Sequence, residues 1–242
     1  MSSFSCTHNF IDHEHRVMRS TAASRPHDVD VVVCSLPELN LLDEIPPELF
    51  RVRWVDVPPL WVPFACRDVL AQGLGDYDWF CYIEDDLVFH DPLFFDKLRW
   101  FHDAAGPGCV LQPNRYEVAP TAIPRKVYID GPINTAQWQD LGDAPELHLT
   151  AFGADIRLVR ASNPHAASFF LTSDQMAAWV RLPSFSDRDC SFVGPLESAA
   201  SLGLMQTFRV YKPSPEDASF LEVEHLDTAW ARRGMGEQPW PE

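Results

Sequence analysis

The run Trp79-Phe-Cys-Tyr-Ile83 is apolar at every position and breaks at once into the carboxylates Glu84, Asp85 and Asp86. A strand with no polar side needs cover on both faces, so the run demands a sheet sandwiched between helices, as in the parallel part of an α/β sheet. Where such a strand meets its loop, open α/β sheets place ligand-binding groups. Continued strand alternation would set Glu84 and Asp86 on one face and Asp85 on the other, so that one carboxylate reaches a ribose and another a cation. Hard oxygen ligands of this kind suit Mg2+ or Mn2+. The same triplet also fits a solvated acidic turn that caps the following helix.

The flanking sequence predicts alternating strands and helices. Val29–Cys34 and Phe50–Val57 read as strands, bounded by Pro26, Pro37 and the Pro58-Pro59 break. Between them and the acidic triplet, Val62, Ala65, Cys66, Val69 and Leu70 recur at helical spacing, and Gly73 and Gly75 mark the stop. Phe94, Leu98 and Phe101 give a second helix from Leu93 to Ala105, with Asp91 placed to cap it. Cys109–Gln112, Lys126–Ile129, Arg157–Arg160, Ser168–Leu171 and Thr207–Lys212 are further strand candidates. Ser173-Asp174 opens a helix with Met176, Trp179 and Val180 inward, stopped by Pro183, and another runs from Pro195 through Met205. Phe4–Thr7 reads as a short strand, Ile11–Ala23 as a surface helix, and 131–145 as a long loop. The order is α/β without repeats, and the 242 residues suit one sizeable domain with a mixed central sheet flanked by helices.

Charge narrows the partners. With 35 acidic against 19 basic residues the formal charge is −16, which repels a phosphate backbone, so nucleic acid is not expected. An acidic protein can still hold an anionic nucleotide when a divalent cation stands between them. The six cysteines are scattered without a CxxC pair, as expected of a reduced, cytoplasmic chain. Polar residues interrupt the first thirty positions, and no apolar run is long enough for a membrane span, so neither a signal peptide nor an anchor is expected. His13-Glu14-His15 lacks the spacing of a zinc helix, and no GxGxxG, P-loop or GxSxG motif is present.

The stretch Asp78-Trp-Phe-Cys-Tyr-Ile-Glu-Asp-Asp-Leu-Val-Phe-His-Asp-Pro-Leu-Phe-Phe-Asp96 resembles the DxD region of GT-A glycosyltransferases in its Glu-Asp-Asp form. It is most similar to the Golgi GlcNAc-transferases that start complex N-glycans. The resemblance implies a GT-A, Rossmann-like single domain, with residues 1–130 as the nucleotide-sugar-binding half and 131–242 as the acceptor-binding half and tail. It implies Asp86 as the ligand of Mn2+ or Mg2+ and a late histidine as the second ligand, for which His225 in Glu222-Val-Glu-His225 is the candidate. Glu84 and Asp85 fall to the nucleotide sugar, and Lys212 to its diphosphate. An inverting member of such a family carries an acidic base near a helix start. Glu197 in Gly194-Pro-Leu-Glu197 is the candidate, with Asp187 and Asp189 as alternatives, although ordinary capping also places a Glu there. His165 and Trp138 are candidates for an acceptor wall.

The expected activity is transfer of a sugar from a nucleotide diphosphate donor to a hydroxyl of a glycan or glycoconjugate. UDP, GDP, CMP and dTDP donors stay open. Two rivals remain. A sugar nucleotidyltransferase would share the fold but opens on a Gly-rich basic loop not found here, and a non-catalytic carbohydrate- or nucleotide-binding module would bind without turnover.

Overall fold

The structure is a computed structural model that describes residues 9–20, 29–38, 40–119, 121, 123, 125–133 and 145–240. The Phe4–Thr7 strand, most of the loop within 131–145 and Trp138 lie outside those residues. Fourteen strands are described. They are β1 Asn9–Asp12, β2 Val17–Ser20, β3 Val32–Ser35, β4 Arg51–Trp54, β5 Trp79–Ile83, β6 Leu87–Val88, β7 Cys109–Leu111, β8 Asn114–Ala119, β9 Arg125–Tyr128, β10 Leu147–Ala151, β11 Ala154–Arg160, β12 Ser168–Thr172, β13 Arg209–Pro213 and β14 Glu222–His225. The α-helices are α1 Val62–Gln72, α2 Phe94–Ala105, α3 Ser173–Val180, α4 Pro183–Ser186, α5 Pro195–Glu197, α6 Gly203–Thr207 and α7 Ala229–Gly234, with a π-helical turn Ser198–Leu202 joining α5 to α6. The class is mixed α/β. Sheets of order β10-β11-β13-β7 and β6-β14-β8-β9 each combine parallel and antiparallel ladders.

Strand alternation builds the layers. Along β7, Cys109 and Leu111 face one core while Val110 faces another, and β12 divides Phe170 from Phe169 and Leu171 in the same way. Phe94, Leu98 and Phe101 of α2 fill the first core; Met176 and Trp179 of α3, Phe185 and the α6 residues Leu204 and Met205 fill the second. These strands are covered by helices on both sides, as the apolar run 79–83 requires. The neighbour of β5, however, is the antiparallel β12, with Phe170 opposite Cys81. Continuous apolarity reports coverage and says nothing about the direction of the next strand.

Two local expectations are corrected. Residues 11–20 form part of the β1–β2 hairpin and not a helix. Asp12 accepts from His15 N at 3.0 Å and from Arg19 Nε at 2.6 Å, and Arg16 takes φ 58, so a turn wins over a segment that has no apolar helical stripe. Helix α3 is capped by Thr172, one residue earlier than the sequence suggested, in a reciprocal capping box with Gln175. Asp91 accepts from Leu93 N at 2.8 Å, just ahead of α2.

Candidate functional site

Strand β5 ends at Ile83, and Glu84–Leu87 is a turn, with Leu87 N bonding Glu84 O at 3.4 Å. Its entry is fixed by Ala167, a buried residue at φ 51 whose carbonyl accepts Glu84 N–H at 3.0 Å. A non-glycine residue in the left-handed region is unusual, and such positions concentrate where a site is held in one geometry. The turn leaves Asp85 exposed and draws Glu84 and Asp86 partly inward. The turn and not strand alternation separates the carboxylates, although the division is the one the sequence implied.

Behind the turn, β14 runs between β6 and β8. Its pairing of His225 with Leu87, and the bond from Leu226 N to Asp86 O at 2.8 Å, bring the late histidine beside the acidic turn. His225 Nε2 lies 3.2 Å from Asp86 Oδ2, and Nδ1 lies 3.1 Å from Glu117 Oε1. The other Asp86 oxygen, Oδ1, is occluded from solvent and has no hydrogen-bond partner. Glu117 is 0% exposed, and its Oε2 accepts Ala231 N–H at 2.7 Å.

The electrostatics follow from this packing. The bond from His225, and its charge, hold Asp86 below the ordinary carboxylate range against the opposing effect of burial. Asp86 raises His225 by the same contact. Glu84 is pushed up to about 7, first by burial and then by repulsion from Asp86, with Glu197 adding to the repulsion and Arg115 and the Tyr82 hydroxyl opposing it. The Glu197 carboxylate therefore belongs to the same electrostatic neighbourhood as the acidic turn.

Glu197 is held there by a residue the sequence reading did not single out. Arg67, on α1, is 3% exposed. Its guanidinium donates to Ser198 O at 3.2 Å, to Ala199 O at 2.7 and 3.1 Å, and to Phe185 O and Asp187 O, both at 3.3 Å. Phe64 and Trp179 lie against it at 4.8 and 5.1 Å. Burial lowers its pKa to about 10, against the pull of Tyr82, Asp187 and Asp68. Arg67 thus pins the π-helical turn that follows Glu197, whose carbonyls are displaced from α-helical pairing. The signal was available, because Arg67 falls three positions after buried Phe64 on the inward side of α1. Ahead of Glu197, Gly194 N bonds Phe192 O at 2.7 Å across Val193, which has φ 62 and is 72% exposed. This is a strained three-residue turn with a β-branched centre.

Other sequence candidates sit differently. Asp187 and Asp189 are exposed, and their carboxylates accept Asp189 N at 3.1 Å and Ser191 N at 2.8 Å, folding back on their own loop. Lys212 was expected at a diphosphate but is 2% exposed. Its ammonium donates to Asp130 at 2.7 Å and to His165 O at 2.6 Å, so the chain turns it inward to a carboxylate and a carbonyl. His165, expected on an acceptor wall, is buried with Nδ1 3.1 Å from Ser201 Oγ, and burial first, then Arg115, holds it well below its ordinary pKa.

Asp86 and His225, the two expected cation ligands, are brought together at 3.2 Å, and Asp86 Oδ1 has no hydrogen-bond partner. Among the described residues no group of three or more His, Cys, Asp and Glu is disposed to hold a metal by itself. Among the described residues, no helix is long and apolar enough to cross a membrane. Comparison with models of protein families, with curated proteins and with solved structures returns no match.

Proposed function

We propose that the chain is a metal-dependent glycosyltransferase of the GT-A type, which moves a sugar from a nucleotide diphosphate to a hydroxyl of a glycan or glycoconjugate with inversion. The observation that carries this reading is the meeting of Asp86 and His225, far apart in the chain, at 3.2 Å beside an occluded carboxylate oxygen with no partner. Both were singled out as cation ligands by resemblance. Asp86 and His225 would hold Mn2+ or Mg2+, and the bound ion would neutralise charge developing on the leaving diphosphate.

The chain's own groups divide the remaining work. Glu84 and Asp85, at the mouth of the turn, are the partners for donor hydroxyls. Glu197, whose charge is felt at Glu84, takes the proton from the acceptor hydroxyl as it attacks the anomeric carbon from the face opposite the leaving diphosphate. Arg67 and the Val193 turn fix where that carboxylate stands. Lys212 is assigned to the scaffold and not to the donor, because its charge is already committed to Asp130.

The test is release of nucleoside diphosphate from UDP-, GDP- and dTDP-sugars offered with saccharide acceptors, with Mn2+ or with EDTA. Metal-dependent turnover that falls about a hundredfold or more in Glu197→Gln is expected, with donor binding retained. Binding without turnover for any donor would leave a non-catalytic nucleotide-binding module, and near-normal turnover by the variant would remove Glu197 from the mechanism.

A further inference from the structure

We propose that Glu117 is the positioning residue of the cation site: its two carboxylate oxygens fix which nitrogen of His225 faces Asp86 and seat helix α7 on the same group. This rests on the reading that Asp86 and His225 hold a divalent cation.

The parallel pairing of β14 with β8 sets Val223 opposite Arg115 and Glu224 opposite Tyr116, so the next step brings His225 to Glu117. Glu117 is fully buried, and among the described residues His225 is the basic side chain paired with it. A carboxylate kept under those conditions needs donors for both oxygens. It has two: His225 Nδ1 at 3.1 Å and Ala231 N at 2.7 Å. Asp86 and Glu117 each face one ring nitrogen, and because an ionised carboxylate only accepts, both nitrogens carry hydrogens in the charged ring. A cation displaces the Nε2 hydrogen, and the Nδ1 hydrogen retained by the buried Glu117 leaves the Nε2 lone pair to meet that cation. The second oxygen satisfies an N–H in the first turn of α7, where a helix start leaves donors without partners and favours negative charge. Helix α7 also carries Trp230, with Arg233 at 4.7 Å and Trp240 at 6.2 Å from its ring, so the Glu117 carboxylate ties this aromatic segment to the cation site.

Glutamine cannot take over this role. A carboxamide offers one acceptor oxygen to two donors, and an NH2 turned to Nδ1 would place the imidazole hydrogen on Nε2 and block it as a ligand. In Glu117→Gln, titration of Mn2+ in the presence of inorganic diphosphate, read by electron paramagnetic resonance, is expected to show affinity weakened about 10- to 100-fold relative to wild type. Hydrogen exchange of amides in 229–234 should be faster in the same variant. Affinity and exchange equal to wild type would overturn the proposal. A second measurement needs no variant at 117: nitrogen NMR of wild-type protein at alkaline pH, with the His225 signals identified by their loss in His225→Gln. The neutral ring is expected with its hydrogen on Nδ1, and a hydrogen on Nε2 would overturn the proposal even if Glu117→Gln fails to fold. A wild-type protein that binds no Mn2+ with diphosphate, yet shows the Nδ1 hydrogen, instead removes the cation reading and with it the role given to Glu117 there.

Discussion

Two clusters of buried charge lie on one face of β8, two residues apart, and they differ in completeness. Arg115 leads to the first. Its guanidinium holds Asp130 Oδ1 at 2.8 and 2.9 Å, while Asp130 Oδ2 takes Arg115 N at 2.9 Å and Lys212 Nζ at 2.7 Å. Glu117 leads to the second, where Glu117 and Asp86 flank one imidazole and an Asp86 oxygen is left with nothing to accept from. The first cluster has donors for both oxygens of its carboxylate and two cations for one anion. The second has two carboxylates and at most one cation. A saturated cluster has no vacancy for a ligand and serves the fold, whereas excess negative charge and an unmatched oxygen favour a positive partner, which is what the proposed cation reading requires.

The contrast is broken most severely by removing the charge of Asp130. Asp130→Asn leaves Arg115 and Lys212 buried without their anion and is expected to cost about 3–5 kcal/mol of stability, read by urea unfolding. Acid tests the same cluster more gently. Burial raises the Asp130 carboxyl, but Lys212 and Arg115 overcome it and bring it down to about 2. At Lys212 burial prevails over its single carboxylate and lowers the ammonium, so the two directions coexist because Asp130 faces two cations and Lys212 one anion. Since the folded value of Asp130 is below the unfolded 3.8, its stabilisation is complete above that pH and is lost as pH falls through about 2. The loss amounts to about 2 kcal/mol. The stability gap between wild type and Asp130→Asn should therefore narrow by about 2 kcal/mol between pH 5 and pH 2; a gap that does not change with pH would show that the cluster does not stabilise by charge.

The legible parts of this molecule were those whose local pattern coincides with their role. An apolar strand that stops in Glu84-Asp85-Asp86 announces a covered strand and a polar mouth, and resemblance added His225. Glu117 gave no such signal. It lies in Asn-Arg-Tyr-Glu-Val-Ala, which was not read as a strand at all, and its meaning comes from pairing with β14, a segment that the polar tail composition concealed. Lys212 was misleading for a related reason. It shares a face of β13 with the buried Val210, which points it inward, while its position at the strand end suggested solvent. Register across distant strands, and not composition, decides which charges are buried together.

Within the open cluster the smallest stability effect is expected. Asp86→Asn removes a partly exposed carboxylate, relieves repulsion with Glu84, and should change cation-free stability by less than about 1 kcal/mol. A loss as large as that of Asp130→Asn would make the two clusters alike and both structural.

The most direct test of the central claim is thermal unfolding of wild type and Asp86→Ala with UDP, GDP or dTDP, each in Mn2+ and in EDTA. A nucleotide that meets its cation at Asp86 and His225 should stabilise wild type by about 2.7 kcal/mol at a hundredfold excess over Kd, roughly 5–10 °C in a chain of this size. That shift should vanish in EDTA and in Asp86→Ala. Equal stabilisation of wild type with and without the metal, or an undiminished Mn2+-dependent shift in Asp86→Ala, would contradict it.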